Sequence, residues 1–215
     1  KTLVTCDSFG CHYSDSKVFN DQIDGKFVDA YKYYFDMIMG PFKSHVQYAL
    51  GQVKNYDVEV ICPGHGPVLR ENIDYYLDLY DKWSYEATPE KREKPLVVNS
   101  FVSAYGYTEE LAREINHGIR EVVDCDIKLY DMVHADYDQV AAEVASAEGI
   151  LFGTPTVNGD ALPPVSTLVA GLNGIVNGGK VAASYGSYGW SGEGPEMLTA
   201  RLNLLRMDTL EPALK

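Results

Sequence analysis

The sequence predicts an α/β protein whose C-terminal part, from about Pro95 onward, folds as a doubly wound parallel sheet. Short apolar segments that suit strands alternate there with helical segments, as is typical of parallel sheets covered by helices on both faces. Polar, Gly-rich loops follow the first, third and fourth of these strands. Such loops lie at the edge where doubly wound sheets bind ligands. The content of 46% hydrophobic and 23% charged residues is ordinary for a globular protein.

The first half of the chain has a less regular pattern. Strands are predicted over 2–6 and 58–61, and the second runs into the Pro/Gly-rich loop CPGHGP. Helices are predicted over 27–39, 43–54 and 70–85, with a break at Gly40-Pro41 between the first two. Many tyrosines recur in these helices, and we interpret them as core and interface residues rather than as cofactor ligands.

The polar segment EATPEKREKP, residues 86–95, separates the two patterns and predicts an interdomain linker. We expect one domain over 1–88, a linker over 89–94 and a second domain over 95–215. The chain opens inside a predicted strand and without Met, so we also expect it to be a fragment of a longer protein.

The second domain is predicted to contain four complete strands, each followed by a helix. The strands are predicted over 96–101, 126–130, 149–153 and 180–186, and the helices over 108–123, 137–147, 164–172 and 194–205. The terminal TLEPALK suits the entry to a fifth edge strand that the chain does not complete.

Charge and cysteine spacing exclude several functions. Thirty-one acidic against eighteen basic residues give a net charge of −13, so no basic face for nucleic acid is expected. No apolar run approaches the roughly 20 residues of a membrane span, so no membrane partner is expected either. Cys6, Cys11, Cys62 and Cys125 form no C-x-x-C pair. This spacing disfavours a zinc ribbon, an iron–sulfur cluster and a thioredoxin motif, and it fits free thiols in the cytoplasm.

The loop SAYGYT, residues 103–108, lies between the first strand of the second domain and its helix. Hydroxyls at Ser103 and Thr108, with Gly106 between them, let side chains and backbone amides converge on a phosphate at a helix N-terminus. The loop contains no Lys or Arg and matches neither G-x-x-x-x-G-K-[ST] nor G-x-G-x-x-G, which suits a monophosphate. An ordinary capped strand–helix loop has similar residues, and at this point both readings are open.

Two further loops have unusual chemistry, namely GTPTVNGD (153–160) and SYGSYGWSG (184–192). The first can present backbone groups to the polar edge of a flat ring. Glycines in the second allow close backbone approach, and Tyr188 or Trp190 could stack on an aromatic system. A Gly-rich aromatic loop can instead be a protein contact. The three loops together favour a flavin over these alternatives.

Five segments carry a family resemblance, in order: CDSFGCHYSD, ICPGHGPVLR, SAYGYT, LFGTPTVNGDALPP and ASYGSYGWSGEGP. In them the chain resembles the flavodiiron proteins, or A-type flavoproteins, in which a metallo-β-lactamase-like diiron domain precedes a flavodoxin-like domain. The resemblance implies a flavodoxin-like doubly wound sheet of strand order 2-1-3-4-5 with its fifth strand incomplete. It also implies a partial metallo-β-lactamase-like αββα segment before that sheet.

The resemblance further implies FMN bound by the three loops. The phosphate-loop positions are Ser103, Tyr105, Gly106 and Thr108, and the positions that flank the ring are Thr154, Pro155, Asn158, Gly159, Tyr185, Gly186, Tyr188, Gly189 and Trp190. Ser103 stands where Thr is common in the family, and Tyr105 where Trp is often seen. Both substitutions keep the hydroxyl or the aromatic surface.

A metal half-site is expected at Asp7 and His65, which follow the two strands of the first domain. Both residue types bind iron or zinc, although a lone Asp and a lone His are more often structural. The resemblance implies that Asp7 bridges two irons and that His65 is the last histidine ligand, with His12 nearby but not a ligand. The family's H-x-E-x-D-H cluster is absent from this sequence. Since a diiron centre needs roughly six or seven protein ligands, two cannot hold it.

The resemblance implies an oxidoreductase in which electrons from a rubredoxin-like donor pass through FMN to a diiron centre that reduces O2 to water or NO to N2O. It also implies a head-to-tail homodimer. One alternative is an FMN electron-transfer module without a working metal centre. A hydrolase of the metallo-β-lactamase class would explain the Gly-His-Gly turn but leave the FMN loops unused.

Overall fold

The computed structural model describes residues 1–23, 27–85 and 92–214, without the side chain of residue 214. The chain divides into two compact units, Lys1–Glu90 and Lys91–Lys215. Much of the predicted linker, residues 86–91, lies outside the described residues. The domain limits at 88 and 95 therefore stay predictions.

The described residues of the first unit form a parallel pair of strands and three α-helices. Its elements are β1 (Thr2–Cys6), α1 (Val28–Tyr34), α2 (Lys43–Val53), β2 (Val60–Pro63) and α3 (Ile73–Ser84). The two strands pair from Thr2 opposite Val60 onward, so their carboxyl ends lie at the same edge. A three-residue 3-10 turn, Asn20–Gln22, precedes α1.

Two helix predictions in this unit differ from the structure. The α-helix predicted over 27–39 widens to a π-helical turn over Phe35–Met39, and a 3-10 turn, Gly40–Phe42, follows. The ring of Pro41 would clash with the carbonyl four residues earlier in a regular α-helix, which explains the widening. The helix predicted from residue 70 begins at Ile73, because Asn72 adopts the left-handed conformation at φ +53°.

The core of the first unit is aromatic. Tyr31 and Tyr80 are fully buried, and their ring centroids lie 5.2 Å apart. Phe9 packs on Tyr80 at 4.5 Å, and Trp83 closes the cluster beside Tyr31 at 5.5 Å. These tyrosines are core residues, as predicted, whereas several others, such as Tyr48, are exposed.

The second unit is built on one parallel sheet. Its strands are β3 (Leu96–Phe101), β4 (Asp126–Asp131), β5 (Gly149–Gly153), β8 (Val181–Gly186), β9 (Asp208–Thr209) and β10 (Ala213–Leu214). The order is β4-β3-β5-β8-β10, and β9 also pairs with β8. The predicted α/β fold with a mostly parallel central sheet is confirmed. Where the fifth strand was expected, the described residues form two short strands, β9 and β10.

Helices and a short hairpin complete the second unit. The helices are α4 (Tyr107–Val122), α5 (Tyr137–Ser146), α6 (Pro163–Gly171), α7 (Gly174–Asn177) and α8 (Glu193–Leu204); the hairpin joins β6 (Thr156–Val157) to β7 (Asp160–Ala161). Val98, Ile150 and Ala182 share a core with buried residues of α5, α6 and α8. Phe101 and Tyr185 cluster with Ala112 of α4. None of the described helices combines the length and apolar composition that a bilayer crossing requires.

Candidate functional site

The three loops singled out in the sequence leave the sheet at one edge. Strands β3, β5 and β8 are parallel neighbours, and their carboxyl ends lie side by side, with Phe101 opposite Gly153 and Gly153 opposite Tyr185. The loops also touch one another. The Thr108 and Ser187 hydroxyl oxygens lie 2.9 Å apart, and the Thr156 amide donates to the Ser187 carbonyl at 2.9 Å. The third loop therefore contacts both of the others.

The first loop forms an open helix N-terminus. Gly106 adopts a left-handed conformation at φ +90°, which glycine tolerates, and no side chain caps the helix α4 that follows. The Gly106 amide donates to Ser103 Oγ at 3.0 Å. Helix geometry leaves the first amides of α4 without intrahelical acceptors, so they are free to bind an anion. The residues present here fit a phosphate group.

Side chains of the first loop divide into buried and exposed ones. Thr108 is almost fully buried, so its hydroxyl joins the loops rather than facing solvent. Tyr105 is 87% exposed and can move onto a ligand. A groove of about 460 Å³ lies between α4 and the third loop, lined by Tyr107, Glu110, Leu111, Glu114, Ser187 and Tyr188.

The second loop is organised by Thr154 and a tight turn. The Thr154 side chain is fully buried; its hydroxyl accepts from the Leu162 amide at 2.9 Å and donates to the Pro155 carbonyl at 3.0 Å. Asn158 and Gly159 have φ of +55° and +75° and form the turn between β6 and β7. Thr154 thus holds the loop from inside, while Asn158 and Gly159 lie at its tip.

The third loop offers the aromatic surface that the sequence predicted. Trp190 is completely exposed and Tyr188 is 44% exposed, so both can stack on a flat ring. A Cβ on Gly186 would lie 1.8 Å from the Thr154 carbonyl oxygen, so the second and third loops approach each other as closely as they do only because residue 186 is glycine. A Cβ added to Gly189 would have nothing within 4 Å of it.

The Tyr185 side chain lies in the core of the second unit, whereas it was expected beside the flavin ring. Its side chain is 1% exposed, and its hydroxyl donates to Asn99 Oδ1 at 2.6 Å in the interior between the sheet and α4. Burial raises the pKa of this tyrosine well above its usual range. The side chain is therefore a core group in this structure, because β8 directs it toward α4 rather than into the loops.

Two residues that sequence reasoning left out of the site belong to its framework. Ser187 connects the three loops, and the sequence feature that points to it is a second serine within the SYGSYGW segment. Asn99 is fully buried, and the sequence feature that points to it is an amide inside the mostly apolar strand LVVNSF. A buried amide in a strand needs hydrogen-bond partners, and here Tyr185 is one.

Asp7 and His65 come together at the carboxyl ends of β1 and β2. His65 Nε2 lies 3.3 Å from Asp7 Oδ1, and both side chains are about half exposed. The ring of His12 lies 5.7 Å from that of His65, centroid to centroid. No group of three or more His, Cys, Asp or Glu side chains suited to a metal occurs among the described residues. The chemistry of the pair fits iron, but two ligands do not complete a diiron site.

The Gly-His-Gly turn is held in place by backbone contacts. The Gly64 amide donates to the Cys6 carbonyl at 2.6 Å, and the Cys11 amide donates to the His65 carbonyl at 3.0 Å. Gly66 has φ +80°, and a Cβ there would lie 2.5 Å from the Cys11 carbonyl oxygen. The turn therefore fits closely against the loop that carries Asp7.

The comparison with curated proteins covers the whole chain. No family model matches it. It is 40% identical to the type A flavoprotein fprA of Rhodobacter capsulatus over an alignment of 217 positions, which covers 100% of this chain and 49% of that protein. It is 30% identical to a nitric oxide reductase of Moorella thermoacetica over an alignment of 212 positions, which covers 97% of this chain and 51% of that protein. The chain thus spans about half the length of the curated relatives it matches.

The chain also superimposes on about half of two related solved structures. The flavodiiron protein of Giardia intestinalis superimposes with a TM-score of 0.59 at 26% identity, over 100% of this chain and 53% of that one. Rubredoxin oxygen:oxidoreductase of Desulfovibrio gigas also superimposes with a TM-score of 0.59 at 26% identity, over 99% and 53% of the two chains.

Proposed function

The chain belongs to the flavodiiron proteins, or type A flavoproteins, and from this we propose that it is the FMN-binding, electron-transferring part of an oxidoreductase that reduces O2 or NO. The observation that carries the proposal is the convergence of three loops at one sheet edge, joined through Ser187 to Thr108 and Thr156. Relatives named nitric oxide reductase and rubredoxin oxygen:oxidoreductase support the two substrates.

The residues of the three loops have distinct roles in this proposal. Ser103, Gly106 and the first amides of α4 would hold the phosphate, since the helix N-terminus is uncapped and favours anions. Tyr188 and Trp190 would cover the ring and keep water from it. Asn158 and Gly159 would present backbone groups to its polar edge. When bound, FMN would supply one- and two-electron transfer between donor and acceptor.

Asp7 and His65 are proposed as two ligands of a diiron centre in the intact protein. Their carboxylate and imidazole are ligand types that iron accepts, and the two side chains face each other. A flavodoxin-like domain over 95–215 with strand order 2-1-3-4-5, a partial metallo-β-lactamase-like domain over 1–88, a rubredoxin-like donor and a head-to-tail homodimer belong to the same proposal. Four free thiols support a cytoplasmic location.

A second candidate function is an FMN electron-transfer module without a working metal centre. The observation in its favour is that the described residues bring together only Asp7 and His65, and no third ligand. The two candidates agree on FMN and differ on iron.

The test is the FMN and iron content, after reconstitution, of the intact protein that contains this chain, with the unaltered sequence and with His65→Ala. His134→Ala, which removes an exposed histidine of the second unit, is the matched control. FMN at about one per chain, with iron that is lost only in His65→Ala, supports the reductase. FMN without iron in either protein supports the module. A chain that retains no FMN contradicts both.

A further inference from the structure

A chain of buried hydrogen bonds runs beneath the three loops, from β8 through β3 to α4. The Tyr185 hydroxyl donates to Asn99 Oδ1 at 2.6 Å, and Asn99 Nδ2 donates to Asn116 Oδ1 at 2.8 Å. The Asn99 amide group also lies 3.3 Å from the Ala112 carbonyl, to which it donates. The Tyr185, Asn99 and Asn116 side chains are each at most 3% exposed, so water does not compete for these bonds.

The Tyr185 ring reaches Asn99 by crossing β5 at Gly153. Strand β5 lies between β3 and β8, and Gly153 is paired with Phe101 on one side and Tyr185 on the other. A Cβ on Gly153 would lie 2.4 Å from Tyr185 Cζ. Only glycine therefore leaves room for the ring above this strand.

Each end of the hydrogen-bonded chain supports a different part of the proposed FMN site. Asn116 and Ala112 attach α4 to β3, and the first turn of α4 contains Thr108. Tyr185 lies two residues before Ser187, and its carbonyl accepts from the Thr154 amide at 3.0 Å. The second and third loops are thus attached to Tyr185, whereas the phosphate loop is attached to Asn116 through α4.

We propose that Tyr185, Asn99 and Asn116 are positioning residues that set the separation between the phosphate-binding and ring-binding loops. This inference rests on the proposed FMN function. The three side chains are buried and do not touch the ligand; they act through α4 and the end of β8. A ligand that spans both parts of the site responds to their separation, and one that occupies only the ring-binding part does not. The three residues therefore favour FMN over riboflavin, which has no phosphate.

The test compares the affinity for FMN with that for riboflavin in the full chain, measured by flavin fluorescence titration. Tyr185→Phe keeps the ring over Gly153 and removes only the hydroxyl, so the fold is retained. We expect the Kd for FMN to rise about tenfold, because the two parts of the site are then no longer held at the separation that FMN needs, and the Kd for riboflavin to change less than about twofold. Asn116→Ala, at the other end of the chain, is expected to give the same selective loss.

Tyr130→Phe is the matched control. It removes a tyrosine hydroxyl that donates to Glu143 elsewhere in the second unit, and both flavin affinities are expected to stay unchanged. Equal weakening of FMN and riboflavin binding in Tyr185→Phe, or no weakening, would overturn the inference while leaving the proposed function intact. An unaltered chain that does not bind FMN would instead refute the proposed function, and this inference with it.

Discussion

The hydroxyl oxygens of Thr108 and Ser187 lie 2.9 Å apart, although 79 positions separate the two residues in the sequence. Thr108 belongs to the first turn of α4, and Ser187 begins the loop after β8. Because Thr108 is almost fully buried, its hydroxyl depends on this partner. The contact fixes the first loop, residues 103–108, against the loop that carries the exposed aromatic residues.

Ser187→Ala is expected to lower the free energy of unfolding by about 1 kcal/mol, since it leaves the buried Thr108 hydroxyl without its partner. It is also expected to weaken FMN binding about fivefold, because the first and third loops are then no longer held together. Flavin titration and urea unfolding measure the two effects. Ser166→Ala on α6, whose hydroxyl donates to a local carbonyl, is the control and is expected to change neither. Unaltered FMN affinity in Ser187→Ala would contradict the role assigned to the contact.

Trp190→Leu is expected to raise the Kd for FMN about three- to tenfold, because stacking of aromatic rings contributes about 0.5–1.5 kcal/mol. The chain contains two tryptophans, and Trp190 is completely exposed. FMN should therefore quench the fluorescence of Trp190 strongly, and this quenching should disappear in the variant. Trp83→Phe, which alters the aromatic core of the first unit, should retain it. Quenching that survives in Trp190→Leu would show that the ring binds elsewhere.

Gly186→Ala is expected to destabilise the second unit by about 1–3 kcal/mol or more, since the new Cβ would lie 1.8 Å from the Thr154 carbonyl oxygen. Gly118→Ala is the control, and its effect on the free energy of unfolding should have the opposite sign. Gly118 lies on α4 with nothing within 4 Å of its added Cβ, and alanine there should stabilise the helix by about 1 kcal/mol. Urea unfolding of both variants measures the difference. Equal stability of Gly186→Ala and Gly118→Ala would mean that the second and third loops do not approach each other this closely.

Asp21→Asn is expected to remove an acid-sensitive part of the stability of the first unit. The Arg70 guanidinium donates two hydrogen bonds to Asp21, at 2.9 and 2.8 Å, and these bonds hold the pKa of Asp21 below its ordinary value. A lowered native pKa stabilises the fold above the ordinary aspartate pKa of about 3.9, and this stability is lost as pH falls through the native value.

The measurement is the difference in unfolding free energy between the unaltered chain and Asp21→Asn as a function of pH. The difference should be present at neutral pH and vanish in acid. Asp78→Asn, which removes an exposed carboxylate of α3, is the control for the change in net charge. A difference that persists unchanged into strong acid would contradict the prediction.

The parallel sheet could be predicted closely from the sequence because its strands are short apolar segments bounded by loops. The strands predicted over 96–101 and 149–153 occur within those bounds. Convergence of the three loops follows from the same pattern, since the carboxyl ends of parallel strands share an edge. The position of Asp7 beside His65 follows in the same way from β1 and β2.

Other features depend on contacts that a linear pattern does not contain. Tyr185 precedes a Gly-rich aromatic loop and resembles a ring-flanking residue, but the alternation of sides along β8 buries it toward α4. The spacing of apolar residues does not show which face of the sheet a given position takes. The π-helical turn over Phe35–Met39 was likewise missed, because the apolar spacing of 27–39 fits a regular α-helix.

Because the Tyr185 ring crosses β5 at Gly153, the residue that evolution can accept at position 153 depends on the residue at position 185, and the reverse. An alanine at 153 is compatible with the fold only if residue 185 is too small to lie across the strand, and such a residue leaves the Asn99 carbonyl oxygen without its donor. Either substitution alone is harmful, and the pair together still loses the bond to Asn99. Related chains should therefore retain glycine and tyrosine together or change both, and those that change both should also replace the asparagine at 99.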